Sequence, residues 1–218
     1  MDLTTALQTK RNASARNIPK EKYEVMQTST RQLQEVKLAE GALKTGQKLP
    51  EFELPNVHGK NIKSADLLQE GTLVISFYRG GWCPYCNMEL KAIQSILDQI
   101  REAGAQVIAI TPETPDNSLT TSEKNELEFE VLSDIDNKYA KELGLVFQLP
   151  EELVAIYDSF NIDLVKHNEN EDHELPMPAT YIVNTDGEVI YDFVMEDYTY
   201  RLDPEEILSV LKKTALVS

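Results

Sequence analysis

The sequence predicts an α/β fold, a central mixed β-sheet flanked by helices, preceded by an N-terminal helical arm. Three features of the 218 residues predict it. An apolar strand-like run leads straight into a helical pattern, with both cysteines of the chain at the junction. A second strand follows that helix. Late in the chain come a hairpin with an Asp-Gly turn and a closing helix.

Residues 1–44 contain little β-branched apolar sequence, while Tyr23, Met26, Leu33, Val36 and Leu43 are spaced for one face of a long helix entered near Pro19-Lys20-Glu21. A lone amphipathic helix is marginal in water, so this arm is expected to pack on its own domain or across a homodimer. The domain itself spans residues 45–218. It begins with a short extended pair over residues 46–55, turned by Asn56-Val57-His58-Gly59-Lys60.

Residues 72–78 (TLVISFY) are short, β-branched and aromatic, which reads as a buried strand ending at Gly80-Gly81. Over residues 87–100, Leu90, Ile93, Leu97 and Ile100 recur at helical spacing, and Gly104 stops that helix. A strand at 106–111 follows, then a short strand over 126–132 and a helix over 137–143 closed by Gly144. Residues 180–184 and 188–193 flank Thr185-Asp186-Gly187 as a hairpin. The last helix is capped by Asp203 with Pro204 at its first position.

Cys83 and Cys86 therefore sit where a strand meets a helix. Unpaired N–H groups and the positive end of the helix dipole favour a thiolate there, and a Cys-X-X-Cys thiol can titrate well below its free value of ~8.5. Pro84 suits a first helical turn. Three plainer readings compete with a redox dithiol. Zinc needs about four ligands, and His58, His167 and His173 show no ligand-like spacing. A structural disulfide across two residues would restrict the unfolded chain little. Two inert core cysteines, with Trp82 and Tyr85 as mere packing, remain open.

A hydrophobic content of 41% supports a sizeable core. No stretch approaches a membrane span, and the start lacks a signal-peptide pattern, so the expected setting is the cytoplasm, where reversible dithiols are usually catalytic. The formal net charge of −16 argues against nucleic acid or an anionic membrane as partner. No metal or organic cofactor is expected.

The order of elements looks like a thioredoxin fold. Residues 46–54, 76–86, 131–134 and 178–183 resemble the peroxiredoxin-like branch of the AhpC/TSA family, a likeness over roughly residues 46–212 that leaves the arm outside. The resemblance implies an antioxidant oxidoreductase that reduces hydroperoxides and is regenerated by a thioredoxin-like or small-thiol donor. In the family motif Pro-x-x-x-Thr-x-x-Cys, the reactive cysteine falls on Cys86, the threonine on Cys83 and the proline on Arg79, and the family's second-site arginine falls on Pro178. Three of the four pocket residues are therefore changed, and changed towards a thioredoxin-type site: Trp82-Cys83-Pro84-Tyr85-Cys86 supplies a dithiol, and Met177-Pro178 matches the position of the cis-proline that faces it in thioredoxin-like enzymes, where the backbone edge pairs with a disulfide-bearing partner. The plainer reading of Pro178 is an ordinary trans residue starting a strand.

Two enzymes fit this class. A peroxide reductase, the favoured reading, would attack with Cys86 and resolve with Cys83. A protein disulfide reductase would attack with Cys83. A glutathione-using enzyme is suggested by Pro84-Tyr85, but the Gly-Gly such chains carry beyond the hairpin is replaced by residues 194–198 (VMEDY). A non-enzymatic redox sensor would oxidise once and stall. Arg79 is placed to lower a thiolate pKa or bind a departing peroxide oxygen, and equally to sit solvated at a strand end. Glu89, one turn beyond Cys86, is placed to relay protons, but the plainer reading is an ordinary helix-surface glutamate.

Overall fold

The structure, a computed structural model, describes residues 2–215. Helices α1 (Leu3–Asn17) and α2 (Lys20–Glu35) come first, then a hairpin of β1 (Glu53–Pro55) and β2 (Asn61–Lys63). Helix α3 (Ser64–Glu70) leads into β3 (Thr72–Phe77), α4 (Pro84–Gln94), α5 (Leu97–Glu102) and β4 (Ala105–Thr111). Next are α6 (Pro115–Asn125), β5 (Glu130–Ser133), α7 (Lys138–Glu142), β6 (Val146–Gln148), α8 (Glu151–Ser159), α9 (Leu164–Asn168) and β7 (Glu174–Pro176). The chain ends in β8 (Ala179–Val183), β9 (Val189–Val194) and α10 (Pro204–Ala215).

Period-two alternation along β3 sets the layers. Leu73, Ile75 and Phe77 point to one face with Ile108, Ile110, Tyr181 and Val183, while Val74 and Tyr78 point to the other with Val107, Ala109 and Ile182. The sheet order is β5-β4-β3-β8-β9. Strand β4 is parallel to β3 and β5, as strand-helix-strand crossovers require, whereas β8 and β9 are antiparallel and joined by the short turn at Gly187. Asn184 Oδ1 holds that turn by accepting the N–H groups of Asp186 and Glu188 at 3.1 and 2.9 Å. This is the thioredoxin-like mixed sheet, with α4 starting at the end of its central strand.

Several elements depart from the expected pattern. The helix expected over residues 87–100 is two helices: the backbone leaves helical geometry at Ile96 (φ −116, ψ 10), although Leu90, Ile93, Leu97 and Ile100 all stay buried. The strand expected over 126–132 begins only at Glu130, because Glu126 adopts a left-handed conformation that closes α6. The Met177–Pro178 peptide is trans. The backbone edge before β8 is already occupied, with Val146 paired to Pro176 and the Met177 N–H donating to the Leu145 carbonyl at 2.8 Å.

The arm is two helices rather than one. Ile18 is extended (φ −81, ψ 133), as a residue before proline prefers, and this separates α1 from α2. Residues 3–17 carry no continuous apolar stripe; only Leu3 and Leu7 are buried, and they join the cluster around Leu90 and Ile207. From α2, Val25 and Met26 pack with Leu153 and Ile156 of α8. Val36 is 71% exposed, lying just past the end of α2, so the expected stripe stops before it. Replacing Leu7 by Ala should therefore undock α1, lowering unfolding free energy by about 2–3 kcal/mol in a urea titration. An unchanged midpoint would mean that α1 contributes nothing to the fold.

Candidate active site

Gly80 turns the chain between β3 and α4. Its φ of +147 favours glycine, and a Cβ there would collide with the Trp82 indole. The Gly81 N–H donates to buried Glu113 at 2.8 Å. Cys83 then occupies the N-cap of α4, Pro84 its first position, and Cys86 its first turn. Asn87 fastens the loop, its Nδ2 donating to the carbonyls of Gly81 and Cys83 at 2.7 and 3.0 Å. Both thiols are free and buried.

Two guanidiniums flank the dithiol. Arg201, from the loop after β9, is 6% exposed; its Nη2 donates to Cys86 Sγ at 3.2 Å and its Nε to Glu89 Oε2 at 2.5 Å. The same side chain donates to the carbonyls of Tyr198 and Tyr200. Arg79, 2% exposed, donates to the Tyr157 hydroxyl and lies over the rings of Tyr198 and Trp82, 4.2 and 5.0 Å from their centroids. Its Nε is buried without a hydrogen-bond acceptor among the described residues.

These charges separate the two sulfurs. Burial alone would push the Cys83 thiol up, but the Cys86 S–H donated to it and the charges of Arg79 and Arg201 outweigh burial and bring it down to about 6. Burial and the neighbouring Cys83 sulfur push Cys86 well above the usual thiol range. Burial also raises Glu89, to about 7, against the pull of Arg201. A cavity of about 520 Å³ opens beside the site, with Cys83, Arg79, Trp82 and Tyr85 in its wall; Cys86 is not among its lining residues.

The structure brings six of the seven residues singled out from the sequence around the start of α4: Cys83, Cys86, Arg79, Trp82, Pro84 and Tyr85. Tyr85 stacks edge-on against Tyr198, 5.7 Å between centroids, and its hydroxyl lies 3.3 Å from Ser14 Oγ. Pro178 is buried ahead of β8 with its backbone surroundings taken up as described. Arg79 is interior, not solvated. Glu89 is likewise interior, at 1% exposed, because α4 turns that face onto Thr180 and Arg201. Arg201, Tyr157 and Tyr198 were not singled out from the sequence. The only signal for two of them is the aromatic-arginine run Tyr198-Thr199-Tyr200-Arg201 in an acidic chain.

The sheet order and a dithiol at the start of the helix after the central strand define a thioredoxin-fold dithiol protein. A family profile described as the AhpC/TSA family matches residues 45–192, and the chain belongs to that family. Over 103 residues it is 29% identical to Peroxiredoxin Bcp of Escherichia coli K12, covering 47% of this chain and 65% of that protein. It is 35% identical to a putative peroxiredoxin bcp of Buchnera aphidicola over 103 residues, again 47% of this chain and 65% of the relative. The chain thus spans less than two thirds of these curated relatives. Among solved structures, peroxidoxin BcpB from Mycobacterium tuberculosis superposes with a TM-score of 0.62 at 20% identity, covering 78% of this chain and 97% of that one. Peroxiredoxin 6 of Arenicola marina gives 0.66 at 17% identity, covering 80% and 74%.

Alkylation of Cys83 by a small electrophile should rise with pH through about 6 and level off above it, since the thiol is protonated below that value and a thiolate above. Arg79→Gln should move the midpoint up by about one unit, read by mass spectrometry of the labelled peptide. Arg201→Met leaves Glu89 buried without its cation, and should cost about 3–5 kcal/mol near pH 8. Because Glu89 is raised above its unfolded value, the folded variant holds the proton better than the unfolded chain. The loss should therefore shrink near pH 5, where Glu89 is neutral.

Proposed function

We propose that this protein is a thiol peroxidase that reduces hydroperoxides through a dithiol-disulfide cycle of Cys83 and Cys86. The observation that carries the reading is the juxtaposition, in one cavity wall, of a low-pKa sulfur and the Arg79 guanidinium. That cation lies beside the sulfur and offsets negative charge developing on a peroxide oxygen. Family membership and relatives named peroxiredoxins support the same reaction.

The steps balance as follows. The Cys83 thiolate attacks one oxygen of R–O–O–H; the O–O bond breaks, the sulfur becomes a sulfenic acid, and R–O⁻ leaves as the alcohol after taking a proton from the site. The Cys86 sulfur then attacks the sulfenic sulfur, forming the Cys83–Cys86 disulfide and releasing water. Two electrons from a thioredoxin-like or small-thiol donor restore the dithiol. Cys83 is 1% exposed and Cys86 fully buried, so either donor needs the arm to move aside before it reaches the bridge. A reducing compartment such as the cytoplasm suits this cycle.

Motif register puts the family's reactive cysteine on Cys86, yet cavity and charge favour Cys83 as the first sulfur, with Cys86 resolving. The alternative, a protein disulfide reductase, is less well served, since both sulfurs are buried and the Met177 N–H is engaged within the chain. One equivalent of hydrogen peroxide should trap a sulfenic acid on Cys83 in Cys86→Ser, while Cys83→Ser reacts at least ~100-fold more slowly. The reverse pattern moves the first attack to Cys86. Fast reduction of a model disulfide with no peroxide consumption would replace the peroxidase reading altogether.

A further inference from the structure

The cavity beside Cys83 is far larger than a hydroperoxide group needs. One water needs only about 10–15 Å³ of such space, so hydrogen peroxide takes up a small part of its 520 Å³. The volume lies in the range of small-molecule sites, and its walls are those of one. Trp82, Tyr157 and Phe160 come from the domain, and Ile18, Tyr23 and Met26 from the arm. None of the arm residues falls within residues 45–192, the region matched to the family.

Charge in the cavity opposes that of the chain. The whole sequence carries −16, yet Lys10, Arg11 and Arg79 line the cavity against a single carboxylate, Asp197. Asp197 already accepts the N–H and hydroxyl of Thr199, at 3.0 and 2.7 Å. Arg11 is spent on the Thr199 carbonyl and Gln8, at 2.9 and 2.8 Å, and Arg79 on the site. Half-buried Lys10 has neither a carboxylate nor a hydrogen-bond partner among the described residues.

We propose that the arm completes a binding site for an amphipathic organic carboxylate, with the carboxylate on the Lys10 ammonium and the apolar body between the arm and the aromatic wall. A single unengaged ammonium matches a single negative charge, whereas a dianionic phosphate calls for a second free donor. The site rests on the peroxidase reading only for its chemistry: a carboxylate that also bears a hydroperoxide would be held against Cys83, and selectivity for it would be written in the arm.

Trp82 is the sole tryptophan, so its fluorescence reports occupancy without any turnover. Reduced full-length protein titrated with decanoate should show a saturable change. Lys10→Gln should bind decanoate at least about fivefold more weakly, with decanol binding equally to both proteins. Lys10→Glu should gain affinity for decylammonium, a result that loss of folding cannot mimic. No saturable change with decanoate, or Lys10→Gln and wild type binding it alike, overturns the site. Consumption of hydrogen peroxide and cumene hydroperoxide, measured on the same preparation, separates the two claims. Decanoate binding without turnover removes the peroxidase reading and keeps the site; turnover without decanoate binding removes the site alone.

Discussion

Two guanidiniums buried beside one dithiol are the constraint around which the rest is arranged. A buried cation costs several kcal/mol unless it is partnered. Arg201 meets that cost with Glu89, two carbonyls and the Cys86 sulfur; Arg79 meets it with the Tyr157 hydroxyl and the faces of three rings. Satisfying them draws four separate parts of the chain together. The loop after β9 folds inward, α8 brings Tyr157 to the end of β3, and α4 turns a glutamate into the core.

That arrangement drives the two sulfurs apart chemically although they lie three positions apart on one helix start. Cys83, in the cavity wall, is held as a thiolate near neutral pH, while Cys86 behind it stays protonated. Two titratable groups are thus pushed in opposite directions by one environment. Arg201 bonds the second sulfur and Arg79 stands on the cavity side of the first, so the cations match that division.

The arm roofs the site lightly. Helix α1 buries only Leu3 and Leu7, adding the Arg11 bond to the Thr199 carbonyl and the Ser14 contact with Tyr85. By contrast α4 buries Tyr85, Cys86, Glu89, Leu90 and Ile93. An element with so little apolar burial opens at lower free energy than the core it covers. The same helix that shapes the cavity is therefore the part most easily lifted from it.

Local periodicity made the sheet strands, the late hairpin, the closing helix and the dithiol at a helix start legible, because alternation, helical spacing, an Asp-Gly turn and a Pro after a cap act within a few residues. The break at Ile96 and the helices α1, α6 and α8 were less legible, since their apolar stripes are short or interrupted. Sequence alone determined that two cysteines would stand where a buried strand meets a helix. Only the tertiary structure decided which charges surround them: Arg201 reaches Cys86 from 115 positions away and Tyr157 reaches Arg79 from 78. No local pattern encodes such contacts, because they arise when packing closes the core and every buried charge must find a partner.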